Sequence, residues 1–108
     1  MEKSLYEWLY KIEARPGLYL RAPSFASLTS YIAGFEIALI SRHIHDYAEP
    51  DFSLFGGFVA QRLKHHSTPE ETELMGDPTW EHCILAKTTN DQDAFALFFE
   101  MLREFRAK

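Results

Sequence analysis

Apolar residues recur every three or four positions through most of the chain, a spacing that predicts helices rather than strands. The first helix is predicted over 4–14, where Ser4 and Glu7 have the spacing of a capping box. Its apolar face consists of Leu5, Trp8, Leu9 and Ile12. Pro16 ends this helix, because the residue before a proline is pushed out of the helical region.

A second, longer helix is predicted from Ser24, its N-cap, to about Asp46. Two apolar stripes run along it, which is typical of a central helix in a bundle. The first stripe is Phe25, Leu28, Ile32, Phe35 and Leu39, and the second is Ala33, Ile37, Ile40 and Ile44. Gly34 costs about 1 kcal/mol relative to alanine inside a helix, so we expect it where another helix approaches closely.

The stretch between these helices, ARPGLYLRAPS, is predicted to be a corner. Pro16 and Gly17 stop the first helix and turn the chain. Leu18 and Leu20 are expected to enter the core while Tyr19 faces the other way. Residues 23–24 then start the second helix.

Three further elements follow the second helix. A third helix is predicted over 51–65, although Gly56-Gly57 weakens it, and its face is Phe52, Phe55, Val59 and Leu63. A polar, acidic connection follows over 66–78. The element over 79–87 contains the run CILA, which suits a strand, but helix is preferred because no partner strand is evident. The last helix begins near Asn90 or Asp91 and ends near Arg106. The pattern predicts an all-α, single-domain bundle of about five helices over residues 1–108.

The composition adds a large aromatic content to this picture. The chain has 108 residues, of which 46% are hydrophobic and 15% aromatic, enough for one domain with a real core. Its nine phenylalanines fill that core or mark a binding face. The single cysteine, Cys83, cannot form an internal disulfide, which indicates a reducing compartment. Because no apolar run approaches the ~20 residues of a membrane span, we expect a cytoplasmic protein with no membrane partner.

The net charge of −5 is unevenly distributed. Residues 46–93 hold ten Asp/Glu and three Lys/Arg, a balance of −7. Direct nucleic-acid binding is therefore not expected, because phosphate contacts need clustered lysine and arginine. The complementary interpretation is a basic partner. The alternative is that the acids only keep a phenylalanine-rich protein in solution.

The residues most often used for catalysis or metal binding lack the spacing that those roles require. The histidines are His43, His45, His65, His66 and His82. None forms an HExxH pattern, and Cys83 has no CxxC partner. Cys83 lies in an apolar stretch, which is typical of a buried hydrophobic cysteine. We therefore expect no catalytic residue, metal or cofactor, and a protein that is not an enzyme.

RPGLYL resembles the R-P-G-M-Y-I-G signature near the start of the gyrase-type ATPase domain. That family's ATP site also requires a helix with Glu and an Asp-Asn pair, followed by glycine-rich lid motifs. The helix here reads SLTSYIAGFEIALISRH, which has no Asp-Asn pair, and no G-x-G follows it. The ATPase interpretation is therefore rejected.

A second resemblance covers most of the chain through three blocks: RPGLYLRAPS (15–24), LTSYIAGFEIA (28–38) and AFALFFEMLREF (94–105). They are similar to blocks of small bacterial immunity proteins of polymorphic toxin systems, such as contact-dependent growth inhibition. The resemblance implies a protein that binds a cognate toxin domain and covers its active site. Arg21 stands where the family pattern has glycine, so no role is transferred to that loop.

A toxin that cleaves RNA is typically basic where it holds phosphate, so we expect an acidic contact surface that mimics the substrate. The acids expected there are Asp46, Glu49, Asp51, Glu70, Glu71, Glu73, Asp77 and Glu81. Tyr47 and Trp80 are expected as aromatic anchors. For Trp80 the alternative is core packing.

Two other functions stay open from the sequence. One is a non-catalytic regulatory or scaffolding module whose partner is not a toxin, which the same acidic, phenylalanine-rich pattern fits. Any exposed phenylalanines would suit a contact between two copies of such a module as readily as a contact with a toxin. The other is an enzyme, which requires His65, His66 or Cys83 to converge with an acid in one pocket.

Overall fold

The computed structural model describes residues 4–20, 22, 24–46, 48–64 and 80–107. Its helices are α1 (Leu5–Ala14), α2 (Pro16–Tyr19), α3 (Phe25–Ser41), a 3₁₀ turn (Phe52–Leu54), α4 (Phe55–Arg62), α5 (Trp80–Ala86) and α6 (Asp91–Ala107). No strand occurs among the residues just named. Five of the described α-helices have seven or more residues, which confirms the predicted all-α class.

The chain divides into two compact units, residues 1–51 and residues 52–108. The first unit contains α1, α2 and α3, and the second contains the 3₁₀ turn, α4, α5 and α6. The single domain expected over residues 1–108 stays a prediction. No helix in the described ranges is both long and apolar enough to cross a membrane.

Helix α1 begins where its sequence signals place it. The Ser4 Oγ accepts a hydrogen bond from the Glu7 backbone N–H at 3.4 Å, as an N-cap should. Leu5, Leu9 and Ile12 are buried, while Trp8 on the predicted face is only half-buried. Tyr6, which the apolar pattern did not include, is also buried.

The corner after α1 differs from its prediction in one residue. Pro16 occupies the first turn of the short helix α2, where its missing N–H costs no hydrogen bond. Leu20 is buried as expected, but Leu18 is 67% exposed. The expectation that both leucines enter the core assumed extended backbone, in which alternate residues share a side. A helical turn places them on different sides instead.

Helix α3 starts at its predicted cap and ends five residues before the predicted Asp46. The Ser24 Oγ accepts from the Ser27 N–H at 3.1 Å. At the other end, His43 has φ 55°. The His43 N–H donates to the Ile40 carbonyl at 3.1 Å, and the Ile44 N–H donates to the Leu39 carbonyl at 2.9 Å. This pair of bonds is a Schellman motif, which ends a helix.

One side of α3 is buried and the other is not. Phe25, Leu28 and Ile32 are buried, whereas Ile37 is 62% and Ile40 74% exposed. Among the residues that the structure describes, a Cβ added at Gly34 would meet nothing within 4 Å. The predictions that the second stripe is buried and that a helix lies against Gly34 are therefore wrong. The apolar residues of the second stripe favour contact with other apolar surface. Their spacing in the sequence does not show whether this chain itself provides that surface.

The predicted third helix is shorter than expected and begins with a 3₁₀ turn. It runs to Arg62 rather than to residue 65, and Lys64 just beyond it has φ 53°. Phe55 and Val59 are buried on its inner side. The ambiguous element over 79–87 forms α5, so the helical interpretation is confirmed.

Helix α6 has the boundaries that its capping residues predict. The Asn90 Oδ1 accepts from the Asp93 N–H at 2.8 Å, and the Asn90 Nδ2 donates to the Asp93 Oδ2 at 3.0 Å. This reciprocal pair satisfies one of the N–H groups that a helix start leaves without an intrahelical partner. The predicted face of Ala94, Phe98, Met101 and Phe105 is buried.

Phenylalanines of the second unit meet in one cluster around Phe55, which is 0% exposed. Its ring centroid lies 5.1 Å from that of Phe52, 5.5 Å from Phe98 and 5.3 Å from Phe105. The last two contacts are edge-on, the arrangement that aromatic quadrupoles favour. We call Phe52, Phe55, Trp80, Phe98 and Phe105 the aromatic cluster, and they account for much of the high phenylalanine content.

Candidate partner-binding surface

Half of the ten predicted partner-binding residues fall within the described ranges. These are Asp46, Glu49, Asp51, Trp80 and Glu81. Tyr47, Glu70, Glu71, Glu73 and Asp77 lie outside the described residues. The same applies to Arg21, His65, His66 and the predicted connection over 66–78.

Asp46 has a structural task that its place in the sequence did not reveal. Its Oδ2 accepts a hydrogen bond from the Leu5 N–H at 3.0 Å, and its Oδ1 accepts from the Ala48 N–H at 3.0 Å. Leu5 is the first residue of α1, where backbone N–H groups lack intrahelical partners. Asp46 therefore holds the start of α1 as well as shaping its own loop.

A second bond attaches the same loop to α1. The Tyr6 hydroxyl donates to the Pro50 carbonyl, and the Glu49–Pro50 peptide bond is cis. Glu49 and Asp51, on either side of Pro50, are both exposed. The first unit thus holds two exposed carboxylates on a loop that α1 anchors at Asp46 and Pro50.

Trp80 lies at the start of α5 and is half-buried. Its ring centroid lies 5.0 Å from that of Phe98 and 5.7 Å from that of Phe55. These contacts support the packing alternative for Trp80, while its role as an anchor stays a prediction. Glu81 beside it is only partly exposed, in the first turn of α5, where a carboxylate suits the helix dipole.

The described residues offer no group of three His, Cys, Asp or Glu placed to hold a metal ion. Cys83 is 0% exposed, and its burial raises the pKa of the thiol above its usual range. A cysteine nucleophile reacts as the thiolate, so Cys83 is held in its unreactive form. His82, next to it in the chain, is half-buried.

An open groove in the first unit was not anticipated from the sequence. It has a volume of about 450 Å³ and lies between the corner and the first half of α3. Its lining residues are Tyr19, Leu20, Ala26, Ser27, Ser30 and Tyr31. Burial, and secondarily the neighbouring Tyr19, raises the pKa of Tyr31. The lining thus consists of hydroxyl-bearing and apolar side chains, and among the described residues it contains no Asp, Glu, Lys, Arg or His.

Comparison with family models, with curated proteins and with solved structures finds no match to this chain. The residues themselves therefore carry the functional argument. Within the described residues, that argument concerns exposed carboxylates, an uncharged groove and an exposed apolar helix face.

Proposed function

We propose that this chain is an immunity protein that binds a cognate bacterial toxin domain in the cytoplasm and covers its active site. The proposed toxin is a nuclease, RNase in particular, whose phosphate-binding site is basic. The three sequence blocks at 15–24, 28–38 and 94–105 support the family. The balance of −7 over residues 46–93 supports the kind of partner.

The exposed carboxylates of Glu49 and Asp51 are the described observation that carries this proposal. The bonds of Asp46 to Leu5 and of Tyr6 to Pro50 hold their loop against α1. A surface that is ordered before binding loses less entropy when a partner arrives. Fixed negative charge also raises the rate at which a basic partner associates.

The charge distribution indicates where variants should be made. Within 52–64 and 80–107, five Asp/Glu are balanced by five Lys/Arg. The acidic excess of the chain therefore lies in residues 46–51 and in residues 70–77. These two stretches are the proposed contact regions, and inhibition by occlusion requires no chemistry from them.

The first experiment is co-expression with the product of the gene immediately upstream. Restored growth and a co-purifying one-to-one complex are the expected results. A harmless neighbour, or toxicity without rescue or binding, contradicts the proposal and favours a regulatory or scaffolding module.

The contact regions are tested with charge reversals in that complex. Glu49→Lys, and separately Glu70→Lys/Glu71→Lys/Glu73→Lys, should slow association with the toxin while leaving helix content unchanged. Glu100→Lys is the matched control, because Glu100 is exposed in the charge-balanced region. Equal association rates for all three variants would remove the acidic stretches from the interface. Added salt should also slow association of the unaltered chain.

A further inference from the structure

The groove of the first unit has the size and the mixed lining of a small-molecule site. Clefts of roughly 300–1,000 Å³ hold most small ligands, with a few polar groups among apolar and aromatic walls. This groove has a volume of about 450 Å³. The corner contributes Tyr19 and the buried Leu20, and α3 contributes Ala26, Ser27, Ser30 and Tyr31. These four positions form one patch, because residues three or four apart are neighbours on a helix.

The aromatic wall at Tyr19 is held in place by α1. The ring of Trp8 meets the ring of Tyr19 edge-on, with centroids 6.1 Å apart and an interplanar angle of 73°. The Lys11 Nζ lies 5.1 Å from the Trp8 ring centroid, a cation–π contact that fixes the indole in turn. A wall that is ordered before binding loses less entropy when a ligand arrives.

Hydroxyl groups in the lining have hydrogen-bonding capacity that the described part of the chain does not use. No described residue gives a hydrogen-bond partner to the hydroxyls of Tyr19, Ser30 and Tyr31. The Ser27 Oγ accepts from the Ser24 Oγ at 3.0 Å, which leaves the Ser27 proton available. Burial is the main cause of the raised pKa of Tyr31, so this hydroxyl lies partly out of water.

Aromatic rings beside unused hydroxyls, without charge, match the surface of a sugar. A pyranose ring carries hydroxyls around its edge and apolar C–H groups on its faces. Each sugar hydroxyl both donates and accepts, as serine and tyrosine hydroxyls do. We propose that this groove binds a neutral saccharide, with a pyranose ring against the aromatic side chains of Tyr19 and Tyr31. The ring hydroxyls bond to Ser27 and Ser30.

Other classes of small ligand fit this lining less well. A nucleotide or an amino acid would bring a charge into a groove whose described lining offers none of opposite sign. A purely apolar ring would cover the hydroxyls and leave them without partners, which costs free energy. The site shares no residue with the proposed acidic contact regions, so it is tested without a toxin.

The test is titration of the chain with methyl β-glucopyranoside, followed by the amide signals in its NMR spectrum. All ring hydroxyls of this sugar are equatorial, so both of its faces are apolar. We expect a dissociation constant on the order of millimolar for so small a ligand in an open groove. Signals of residues 19–20 and 26–31 should shift and saturate, while those of α6 stay in place. Shifts that do not saturate, or that spread equally over α6, would overturn the proposal.

Two variants remove hydroxyls and keep the shape of the groove. Tyr31→Phe and Ser30→Ala should each raise the dissociation constant about fivefold, the effect of one hydrogen bond. Ser41→Ala is the matched control, because Ser41 is exposed at the other end of α3 and outside the groove. All three variants should keep the helix content of the unaltered chain. An unchanged constant for both groove variants would refute the assigned contacts.

Two further ligands test the chemical class. Cyclohexanol keeps the ring and one hydroxyl, and methyl β-glucuronide adds a carboxylate to the same sugar. Both should bind at least about tenfold more weakly, because the first leaves hydroxyls unpaired and the second brings an unpaired charge. Equal binding of cyclohexanol would show a merely apolar groove, and tighter binding of the glucuronide would show an anion site. Either result contradicts a neutral saccharide.

Discussion

The backbone N–H of Leu5 donates a hydrogen bond to the Asp46 carboxylate across 41 residues, with an N–Oδ2 distance of 3.0 Å. Leu5 opens α1, and Ser4 beside it accepts from the Glu7 N–H. The side chains of Ser4 and Asp46 thus each accept a hydrogen bond from a backbone N–H group that has no partner within the helix. The distant one also ties the loop that carries Glu49 to the first unit.

Asp46→Ala should therefore destabilise the protein. It removes two hydrogen bonds to a carboxylate, and we expect a loss of about 1–3 kcal/mol in the free energy of unfolding. Urea denaturation followed by circular dichroism measures it. Glu49→Ala, three residues away and exposed, is the control and should change stability by less than about 0.5 kcal/mol. Equal effects of the two variants would refute the structural role of Asp46.

His43→Gly should stabilise the protein. His43 has φ 55°, a conformation that costs a side-chain-bearing residue about 1–2 kcal/mol and glycine very little. The greater freedom of glycine in the unfolded chain opposes part of this gain. We expect a net increase of about 0.5 kcal/mol in unfolding free energy, visible as a higher melting temperature. A lower melting temperature would mean that the imidazole makes a contact worth more than the backbone cost.

Phe55→Ala should be among the most damaging substitutions in the second unit. Phe55 is fully buried at the centre of the aromatic cluster, and removing such a ring leaves a cavity. The expected loss is about 3–5 kcal/mol in unfolding free energy. Leu54→Ala at the adjacent, 62% exposed position is the control and should cost far less. Comparable losses at both positions would place the packing centre elsewhere.

Burial of Cys83 predicts a stability that falls at alkaline pH. The folded protein raises the pKa of this thiol, whereas an unfolded cysteine titrates near 8.5. Below about pH 8.5 the thiol is protonated in both states, so its contribution is fully present there. As pH rises from about 8.5 through the folded pKa, the thiol is already deprotonated in the unfolded state but still protonated in the folded state. The stabilising contribution of the thiol is therefore lost over this pH range.

Urea denaturation at pH 7 and pH 9.5 measures that loss. The unaltered chain should lose more stability between these values than Cys83→Ala does, because the variant lacks the titrating thiol. The thiol should also react with a disulfide reagent only as fast as the protein opens. Rapid reaction in the folded state would show that Cys83 is accessible.

Local signals in the sequence were enough to place most helix boundaries. Ser4, Ser24 and Asn90 each accept from an N–H three residues ahead, a contact that depends only on neighbouring residues. The 3.6-residue period likewise identified the buried face of α6. These features are readable because cap and helix lie within one turn of each other.

Contacts between distant residues decided the rest. The bond from Asp46 to Leu5 joins positions 41 residues apart, and no local pattern marks that carboxylate as a helix cap rather than a surface charge. From the sequence, Trp80 suited core packing and a partner surface equally well. In the structure its ring packs against Phe55 and Phe98. The sequence shows how polar a side chain is, but not which group it contacts in the folded protein.

Helix α3 illustrates both what the sequence determines and what only the tertiary structure decides. Its sequence determined a helix with two apolar stripes, because composition and spacing are local properties. Only the tertiary structure decided that Leu28 and Ile32 are covered while Ile37 and Ile40 stay exposed. Hydrophobicity is non-directional, so it makes burial favourable without specifying the surface that provides it. That choice depends on the path of the whole chain.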